Sequence, residues 1–343
     1  MKALVLTEYN HLEIQDVPEP QPAPDEVLVA VKACGICGSD VHGMDGSTGR
    51  RRPPIIMGHE AAGVIAETGQ AASGWKVGER VTFDSTVYCG QCWFCRRGEI
   101  NLCDNRRVLG VSCDEYRRHG AFAGLVAVPQ HILYRLPNEL SFHRAATVEP
   151  LSIAAHAIHR TRLCLGDAAV VVGAGMIGML AVQVLRAAGC GRIYAVDLDP
   201  ARLALARKLG ADETFQAGVA DVPAEVLQRT AGRGADVAIE AVGLSPTVQT
   251  AVACLRKGGQ LTLIGNFAPK VELPLQAVVT RELTLSGSCA SRGEYPACLD
   301  MLARGVVDVD SLTSAVAPLD DGPAWFARLY GGKEGLMKVI LEP

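Results

Sequence analysis

The chain contains 343 residues, with 33 Lys and Arg against 37 Asp and Glu, and so carries a formal net charge of −4. A chain of this length can form two domains that each bury a core. The slightly acidic balance argues against a nucleic-acid partner, and no apolar run reaches the ~18 residues that a membrane span requires. We expect a globular protein that acts on a small molecule and has no nucleic-acid or membrane partner.

The twelve cysteines could suggest a disulfide scaffold, but they are a small share of a long chain. Four of them cluster at metal-binding spacing, and the others are scattered in apolar contexts. The N-terminal sequence MKALVLTEYN has a strand-like pattern and lacks the apolar core of a signal peptide. A reducing, cytoplasmic location is therefore the favoured interpretation.

Short β-strands are predicted in the N-terminal part of the chain, at residues 26–34, 63–69 and 78–83, where apolar residues alternate or run between glycines. The segment 87–107 shows little hydrophobic periodicity but contains the cysteine cluster. A loop of this length inside a compact domain needs something to order it, and a bound metal would do so.

From about Glu149 onward, helical and strand patterns alternate. This alternation predicts a parallel, doubly wound α/β sheet. After Gly287 the pattern predicts one helix, over residues 294–305, and loops. The predicted helices of the alternating region are residues 149–161, 176–189, 200–210, 222–232 and 246–259, and its predicted strands are residues 168–175, 192–197, 211–215, 235–243 and 260–265.

The sequence GAGMIG places three glycines in the GxGxxG pattern of a dinucleotide-binding turn. It follows a predicted strand and opens a predicted helix, so that a cofactor pyrophosphate could approach the backbone at the helix N-terminus. Asp197, nineteen residues beyond Gly178, would accept hydrogen bonds from a ribose 2′-hydroxyl and repel a 2′-phosphate, which favours NAD over NADP. A purely structural turn is the alternative. The predicted cofactor contacts are Gly173, Gly175, Met176, Ile177, Gly178, Asp197 and Arg202.

A second motif, CGQCWFCRRGEINLC, offers four thiolates from one loop, at Cys89, Cys92, Cys95 and Cys103. Four cysteines at such spacing are typical of a closed, structural zinc site. An iron–sulfur cluster is disfavoured because its motif needs a shorter last step and a following proline. Four free buried thiols would fit poorly in so polar a segment.

A third group consists of Cys37, His59 and Glu60, in the sequences CGICGSD and GHE. Thiolate, imidazole and carboxylate are ligands of catalytic zinc, where one position stays open for substrate. An ordinary His–Glu ion pair and a core cysteine are the alternative. If the three residues bind a metal, Asp40 would accept a hydrogen bond from the free N–H of the ligand histidine.

Ser39 and His42 follow Cys37 at two and five residues, a spacing that suits a relay of protons from a hydroxyl to an imidazole. A solvent-facing His42 without a role is the alternative.

Taken together, CGICGSDVH, GHEAAGVI, the four-cysteine loop, VEPLSIAAHAI and GAGMIG resemble the zinc-containing medium-chain dehydrogenase family, in its polyol, sugar-phosphate and threonine dehydrogenase branch. The resemblance covers essentially the whole chain. It implies a GroES-like β-rich catalytic domain interrupted by a Rossmann domain, with boundaries at residues 1–151, 152–287 and 288–343 and an active site in the cleft between the domains.

The same resemblance implies one catalytic and one structural zinc ion per chain, with Cys37 and His59 as ligands of the catalytic zinc. Glu149 matches a further acidic ligand of this branch, and Glu60 matches a glutamate that binds zinc directly or through water. Ser39 matches the hydroxyl that contacts the substrate oxygen. The implied activity is hydride transfer between NAD and a secondary alcohol of a polyol, cyclitol or sugar phosphate, by a homodimer or homotetramer.

Two departures from the family pattern are visible. Sorbitol dehydrogenases carry an Arg-Tyr pair where this chain has Ala290 and Ser291, followed by Arg292, so we expect a preferred substrate other than sorbitol. The usual AEY of a barrel strand is replaced by Ala123, Gly124 and Leu125, at residues 123–125.

Several alternative functions remain open at this stage. A threonine-like amino-alcohol dehydrogenase shares the branch. A zinc-independent quinone or enoyl reductase of the superfamily would lack the ligand set, and a zinc-ribbon nucleic-acid binder conflicts with the acidic charge. A non-catalytic NAD-binding sensor on the same fold is a further alternative, and a lack of turnover on any alcohol would favour it.

Overall fold

The computed structural model describes residues 1–112, 117–332 and 334–343. These residues form two compact units. The first unit combines Met1–Glu149, Arg292–Gly305 and Val309–Pro343, and the second combines Pro150–Ser291 with Val306–Asp308. Both ends of the described chain therefore belong to the first unit, while the middle of the chain forms the second.

The N-terminal segment of the first unit consists mainly of short strands, as its glycine-bounded apolar runs predict. Its strands are β1 (Lys2–Glu8), β2 (His11–Asp16), β3 (Glu26–Gly35), β4 (Ile55–Ile56), β5 (Glu60–Thr68), β6 (Arg80–Phe83), β7 (Thr86–Val87), β8 (Arg107–Val108), β9 (Val111–Ser112), β10 (Arg117–Arg118), β11 (Leu125–Pro129) and β12 (Leu133–Arg135). Its helices are α1 (Gly38–Val41), α2 (Trp93–Arg96) and α3 (Phe142–Ala146), with 3₁₀ turns at Ile100–Leu102 and Gln130–Ile132.

The second unit alternates strands with helices. Its strands are β13 (Ala168–Val172), β14 (Arg192–Asp197), β15 (Glu213–Gln216), β16 (Ala235–Glu240), β17 (Leu255–Leu263) and β18 (Thr284–Gly287). The helices of this region are α4 (Val148–Arg160), α5 (Met176–Ala187), α6 (Pro200–Lys208), α7 (Val222–Arg229), α8 (Ser245–Cys254) and α9 (Leu275–Thr280).

The C-terminal segments return to the first unit with more regular structure than the predicted single helix and loops. They contain α10 (Tyr295–Ala303), β19 (Thr313–Pro318), α11 (Gly322–Gly331) and β20 (Lys338–Glu342), with 3₁₀ turns at Asp310–Leu312 and Leu319–Asp321. The prediction of loops was wrong here because β20 is a short run whose partner, β3, lies some 300 residues earlier in the chain.

The main sheet of the first unit has the strand order β12-β6-β5-β3-β20-β19, and β11 also pairs with β3. Its registers position the candidate site. Gly35 of β3 lies opposite Glu60 of β5, and Ile340 of β20 also lies opposite Gly35. Three distant parts of the chain therefore meet where β3 ends.

The sheet of the second unit is parallel, with the order β15-β14-β13-β16-β17-β18. β13 is central and all of its residues are buried, as expected for a strand covered by helices on both faces. The strand order reverses between β13 and β16, which is where doubly wound sheets bind ligands beyond their carboxyl ends. The predicted α/β class, with a β-rich unit and a doubly wound parallel sheet, is confirmed.

One helix is shorter than predicted. The sequence predicts a helix over residues 246–259, but α8 ends at Cys254. Leu255 instead begins β17 and lies opposite Ala235 of β16. Gly258 has φ +67°, a left-handed value that an α-helix cannot contain.

The Ala123–Leu125 departure from the family pattern falls on an intact strand start. Ala123 bridges to Ala3, the N–H of Gly124 donates to the carbonyl of Lys2, and Leu125 begins β11. The substitution is therefore compatible with the pairing of this strand.

None of the helices in the described ranges combines the length and apolar character that a membrane-spanning segment requires.

Asp236 links the amino ends of two central strands in the second unit. It is 5% exposed, accepts from the backbone N–H of Ala168 and pairs with Arg233 and Arg256. Burial acts to raise the pKa of Asp236, but these hydrogen bonds and charges outweigh it and lower the pKa to about 2. The ionised carboxylate is thus favoured by the folded state.

We predict that Asp236→Asn lowers the free energy of unfolding by roughly 2 kcal/mol at pH 7. Because the folded-state pKa lies below the unfolded value of about 4, this contribution is complete above pH ~4 and is lost as the pH falls through about 2. Thermal melting at several pH values measures the effect. Glu225→Gln, in an exposed pair with Arg229, is the control and should change little. A wild-type advantage that persists undiminished at pH 2 would contradict the assignment.

Candidate metal and cofactor sites

Cys37 lies in the turn between β3 and α1. Its side chain caps α1 by accepting a hydrogen bond from the backbone N–H of Ser39, with the nitrogen 3.4 Å from Sγ. The hydroxyl of Ser39 also donates to this sulfur, at 3.3 Å. Two donors are thus directed at this sulfur, which remains a candidate metal ligand.

The structure brings Cys37, His59 and Glu60 together. One ligand atom from each lies within 4.8 Å of the others, so the three could hold a single metal ion. His59 and Glu60 are 6% and 1% exposed, respectively. Because the register places Gly35 opposite Glu60, the residues just after β3 and just before β5 meet.

His59 faces a buried carboxylate. Its Nδ1 lies 3.4 Å from Oδ2 of Asp40, whose side chain is fully buried. Burial acts to lower the pKa of His59, but the charges of Asp40 and Cys37 more than offset this and raise it. A carboxylate behind the ring orients an imidazole and makes it a stronger metal ligand. The structure therefore places Asp40 within ion-pair distance of His59, but among the described residues neither Oδ2 of Asp40 nor Nδ1 of His59 makes the predicted hydrogen bond.

Glu60 has one paired and one unpaired oxygen. Its Oε2 lies 2.5 Å from Nζ of Lys338, which also donates to the carbonyl of Ile36 at 2.9 Å. Its Oε1 is buried, and within the described part of the chain it has no hydrogen-bond partner. A buried carboxylate oxygen without a partner is costly, so this oxygen fits a metal ion in the Cys37–His59 cluster.

Gly35 makes this arrangement possible. A Cβ atom at Gly35 would lie 2.4 Å from Oε2 of Glu60. A side chain there would displace the carboxylate that Lys338 holds.

Arg51 and Lys338 are residues of this site that sequence reasoning missed. Arg51 is 3% exposed and donates to Oδ1 of Asp40 from Nη2 at 2.7 Å and from Nε at 3.2 Å. Burial opposes ionisation of Asp40, but His59 and Arg51 hold the pKa of its carboxyl well below its usual value. Neither cation belongs to a recognisable motif, so only the folded structure reveals them.

Ser39 and His42 lie three residues apart around α1, a spacing that places two side chains on one helix face. His42 ends this helix and is exposed, and its carbonyl accepts a hydrogen bond from the hydroxyl of Ser47. The relay role of His42 stays a prediction.

Glu149 is the second residue of α4 and lies near, but not within, the three-residue cluster. Among the described residues, the set whose ligand atoms lie within 4.8 Å of one another contains Cys37, His59 and Glu60 without Glu149. Burial raises the pKa of Glu149 to about 8; the charge of His59 opposes this shift and that of Glu60 adds to it. Its role as a further ligand stays a prediction.

The four-cysteine loop forms a second cluster in the first unit. Sγ atoms of Cys89, Cys92, Cys95 and Cys103 all lie within 4.8 Å of one another, and none of the four is in a disulfide. Cys92 caps α2 by accepting from the N–H of Cys95, at 3.5 Å.

Backbone N–H groups surround these sulfurs. Cys103 accepts from the N–H of Cys89 at 3.3 Å and from that of Asn105 at 3.4 Å. Donors from the backbone of Gln91 and from Asn105 lower the pKa of Cys89 to about 6. Burial instead raises the pKa of Cys103, and it raises that of Cys95 to about 12. The convergence of four sulfurs is what fits a tetrahedral zinc ion.

In the second unit, the glycine turn lies between β13 and α5. Gly173 has φ +98°, and a Cβ atom at Gly178 would lie 1.7 Å from the carbonyl oxygen of Gly173. Gly175 caps α5 without any side-chain hydrogen bond, and the space where its Cβ would point is open. The first N–H groups of α5 are thus left for an anionic ligand such as a pyrophosphate.

Asp197 ends β14 beside this turn. Its Oδ2 accepts from the N–H of Ala174 at 2.7 Å, and its Oδ1 accepts from the N–H of Asp199 at 3.0 Å. Arg202 lies in the first turn of α6, with its Nε 3.8 Å from Oδ2 of Asp199. Met176 and Ile177 are half-buried in the first turn of α5. The predicted cofactor residues therefore cluster at the carboxyl end of the sheet.

Two family descriptions match this chain. The description "Alcohol dehydrogenase GroES-like domain" matches residues 23–138, and "Zinc-binding dehydrogenase" matches residues 177–304. Together they cover the metal cluster, the four-cysteine loop and most of the parallel sheet.

Individual proteins resemble the chain over its whole length. Sorbitol dehydrogenase from Bacillus subtilis is 34% identical, over 100% of this chain and 97% of its own length. The structure of 2R,3R-butanediol dehydrogenase from Bacillus subtilis has a TM-score of 0.90 at 31% identity, covering 100% of this chain and 99% of that one. A zinc-binding dehydrogenase from Sinorhizobium meliloti 1021, solved bound to NADP, has a TM-score of 0.92 at 31% identity, with the same coverage.

The chain therefore belongs to the zinc-binding alcohol dehydrogenase family, within the medium-chain dehydrogenases. It is an oxidoreductase that uses zinc and a nicotinamide cofactor and acts on small molecules. The resemblance identified from the sequence motifs is confirmed.

We predict that Lys338→Met lowers the free energy of unfolding by roughly 3 kcal/mol or more, because it leaves Glu60 buried and without its cation. The pair is almost inaccessible, at 3% and 1% exposure. Lys2→Met is the matched control, since Lys2 and Asp320 form an exposed pair that should contribute little. Urea unfolding of both variants measures the difference, and equal losses would contradict this account of Lys338.

Proposed function

We propose that this enzyme is a zinc-dependent polyol dehydrogenase, which transfers a hydride between NAD and a secondary alcohol on a polyhydroxylated carbon skeleton. The observation that carries the proposal is the cluster of half-buried Cys37 with buried His59 and Glu60, in which Oε1 of Glu60 has no partner among the described residues. A thiolate, an imidazole and a carboxylate form the donor set of a catalytic zinc.

The residues around this cluster have separate tasks. A zinc ion held there supplies a Lewis acid, which lowers the pKa of a substrate hydroxyl. Asp40 orients the ring of His59 and keeps its Nδ1 away from the metal position. The hydroxyl of Ser39, which donates a hydrogen bond to Sγ of Cys37, would accept the proton that leaves the substrate hydroxyl while it releases its own proton toward His42. His42, on the same face of α1, passes this proton on toward solvent.

Four thiolates at Cys89, Cys92, Cys95 and Cys103 bind the second zinc ion. A closed site of four cysteines leaves no position for substrate, so its role is to order the loop.

The substrate class follows from the acidic residues near the catalytic cluster. Glu149 and Glu60 make the surroundings of the metal polar and rich in oxygen, which suits a substrate that offers a second hydroxyl. The relatives support this class, because the names of two of them are those of a polyol and a diol dehydrogenase. Ala290 and Ser291 lack the charged and aromatic groups of the Arg-Tyr pair, so the preferred substrate differs from sorbitol.

NAD is the proposed cofactor. Both oxygens of Asp197 already accept backbone hydrogen bonds, which fix the carboxylate where a ribose 2′-hydroxyl can reach its remaining lone pairs. A 2′-phosphate at this position would face a fixed negative charge. The Sinorhizobium meliloti relative was solved bound to NADP, so the preference of this enzyme for NAD over NADP needs a direct test.

Self-association into a dimer or tetramer is also proposed. Phe267, Leu275 and Val279 are each more than 60% exposed in one stretch before the edge strand β18. An exposed apolar stretch next to an unpaired sheet edge is typical of a surface that another copy covers.

The substrate class is tested by following NADH formation with polyols, cyclitols, sugar phosphates, amino alcohols and simple alcohols. We expect the highest kcat/KM for a secondary alcohol of a polyol, cyclitol or sugar phosphate other than sorbitol. Amino alcohols would indicate a threonine-like specificity. Highest activity on short primary alcohols, or on sorbitol, would defeat the proposal, and the absence of turnover would favour a binding role.

The two metal sites should respond differently to substitution. We predict that Cys37→Ser abolishes activity with little change in melting temperature, whereas Cys103→Ser chiefly lowers the melting temperature. Elemental analysis should find two zinc ions in the wild-type subunit and one in Cys37→Ser. Fully active enzyme with one zinc or none, or retained activity in Cys37→Ser, would reverse the assignment.

Cofactor choice should depend on Asp197. We predict a higher kcat/KM with NAD than with NADP in the wild type. In Asp197→Ala the ratio of these two kcat/KM values should fall at least about tenfold, because the charge that repels a 2′-phosphate is removed. Asp199→Ala is a suitable control, since its side chain caps α6 instead. A wild-type preference for NADP would show that Asp197 does not have this role.

A further inference from the structure

We propose that Arg51 is a positioning residue of the catalytic metal site, which fixes the carboxylate behind His59 and the hydroxyl of Ser39 at the same time. This inference rests on the proposed function, because it assumes that His59 binds the metal and that Ser39 handles the substrate proton. Arg51 lies in the segment between α1 and β4 and belongs to no motif of the sequence.

The guanidinium of Arg51 makes four hydrogen bonds, which can use four of its five N–H groups. Nε and Nη2 both donate to Oδ1 of Asp40, at 3.2 and 2.7 Å, Nη2 also lies 3.3 Å from Oγ of Ser39, and Nη1 donates to the carbonyl of Arg50 at 3.2 Å. Gly43 gives the side chain its room, since a Cβ there would lie 2.7 Å from Cγ of Arg51. A buried arginine with this many directed bonds has a single orientation.

The first consequence concerns His59. Nε and Nη2 of Arg51 both donate to Oδ1 of Asp40. The other carboxylate oxygen, Oδ2, therefore faces Nδ1 of His59, at 3.4 Å. Two donors on one oxygen also stop the carboxylate from turning. The direction of the imidazole, and therefore of the nitrogen that would bind the metal, is set through Asp40 by Arg51.

The second consequence concerns Ser39. A guanidinium can only donate, so Oγ of Ser39 must meet Arg51 with a lone pair. Its hydrogen is then directed elsewhere, and in this structure it points to Sγ of Cys37, at 3.3 Å. The adjacent positive charge also stabilises negative charge that develops on Oγ as a proton passes through it.

A purely structural role makes a different prediction. If Arg51 only neutralises the buried charge of Asp40, any cation that preserves the fold would serve. If Arg51 positions both partners, a lysine should fail, because one ammonium cannot replace the planar fork that reaches Asp40 and Ser39 together.

The first experiment compares Arg51→Lys with wild type and with Arg50→Lys, the same change one residue away at an exposed side chain. The rate at which a chelator removes the catalytic zinc is measured without substrate, and the visible absorption of the cobalt-substituted enzyme is recorded. We expect zinc loss to be about 10–100-fold faster in Arg51→Lys, with an altered cobalt spectrum, and wild-type behaviour in Arg50→Lys. Equal zinc loss and identical spectra in all three proteins would overturn the role toward His59.

The link to Ser39 is tested by a double-mutant cycle on kcat between Arg51→Lys and Ser39→Ala. If Arg51 acts through Ser39, the loss of kcat caused by Arg51→Lys should shrink at least several-fold in the Ser39→Ala background. Strictly multiplicative effects would overturn this part. Should Arg51→Lys not fold, Arg51→Ala with millimolar guanidinium replaces it; recovery of zinc retention with guanidinium but not with methylammonium is expected, and equal recovery with both ions would overturn the proposal.

These tests separate the inference from the proposed function. Wild-type enzyme without zinc at the Cys37 cluster, or without activity on any polyol, defeats the function itself. Zinc retention compares variants with wild type and needs no substrate, so it judges Arg51 even when the substrate class is wrong.

Discussion

The pairing of β3 with β5 and β20 is the constraint on which the metal cluster depends. Gly35 lies opposite Glu60 on one side and Ile340 on the other, so the ends of three strands converge. A shift of one residue in either pairing would turn the side chain of Glu60 or Lys338 to the other face of the sheet. The ligand geometry is therefore a property of strand register, and residues far apart in the chain share one small space.

Buried charge is the cost of this convergence, and the site offsets it by pairing. Asp40 is matched by Arg51, and Glu60 by Lys338, with hardly any of the four side chains exposed. Such pairs contribute little net stability, but removing one partner is expensive because it leaves the other charge unpaired. Their value lies in orientation. Each pair leaves one carboxylate oxygen for the cluster, Oδ2 of Asp40 for His59 and Oε1 of Glu60 for a cation.

The local motifs of the sequence were sufficient for the α/β class and for the groups of residues that the structure brings together. GAGMIG and the four cysteines each depend on spacing within a short loop, which a sequence records directly. Cys37, His59 and Glu60 were grouped by their residue types and by the family resemblance, whereas their convergence depends on the register of β3 with β5. Arg51, Lys338 and the strand β20 could not be predicted, because their meaning arises from partners that only tertiary pairing supplies. The prediction also extended α8 too far, since the strand pairing of Leu255 outweighs helical propensity.

The position of Lys338 also has a consequence for the order of events during synthesis. Glu60 and Lys338 are separated by 278 residues, including the whole of the parallel-sheet unit. At ~5–20 residues per second, a ribosome needs roughly 15–60 s to add the lysine after it has added the glutamate. During that interval the N-terminal strands cannot close over Glu60 without burying an uncompensated carboxylate. Because β20 also supplies the strand that pairs with Gly35, this end of β3 gains its last neighbour only after the middle of the chain has been made.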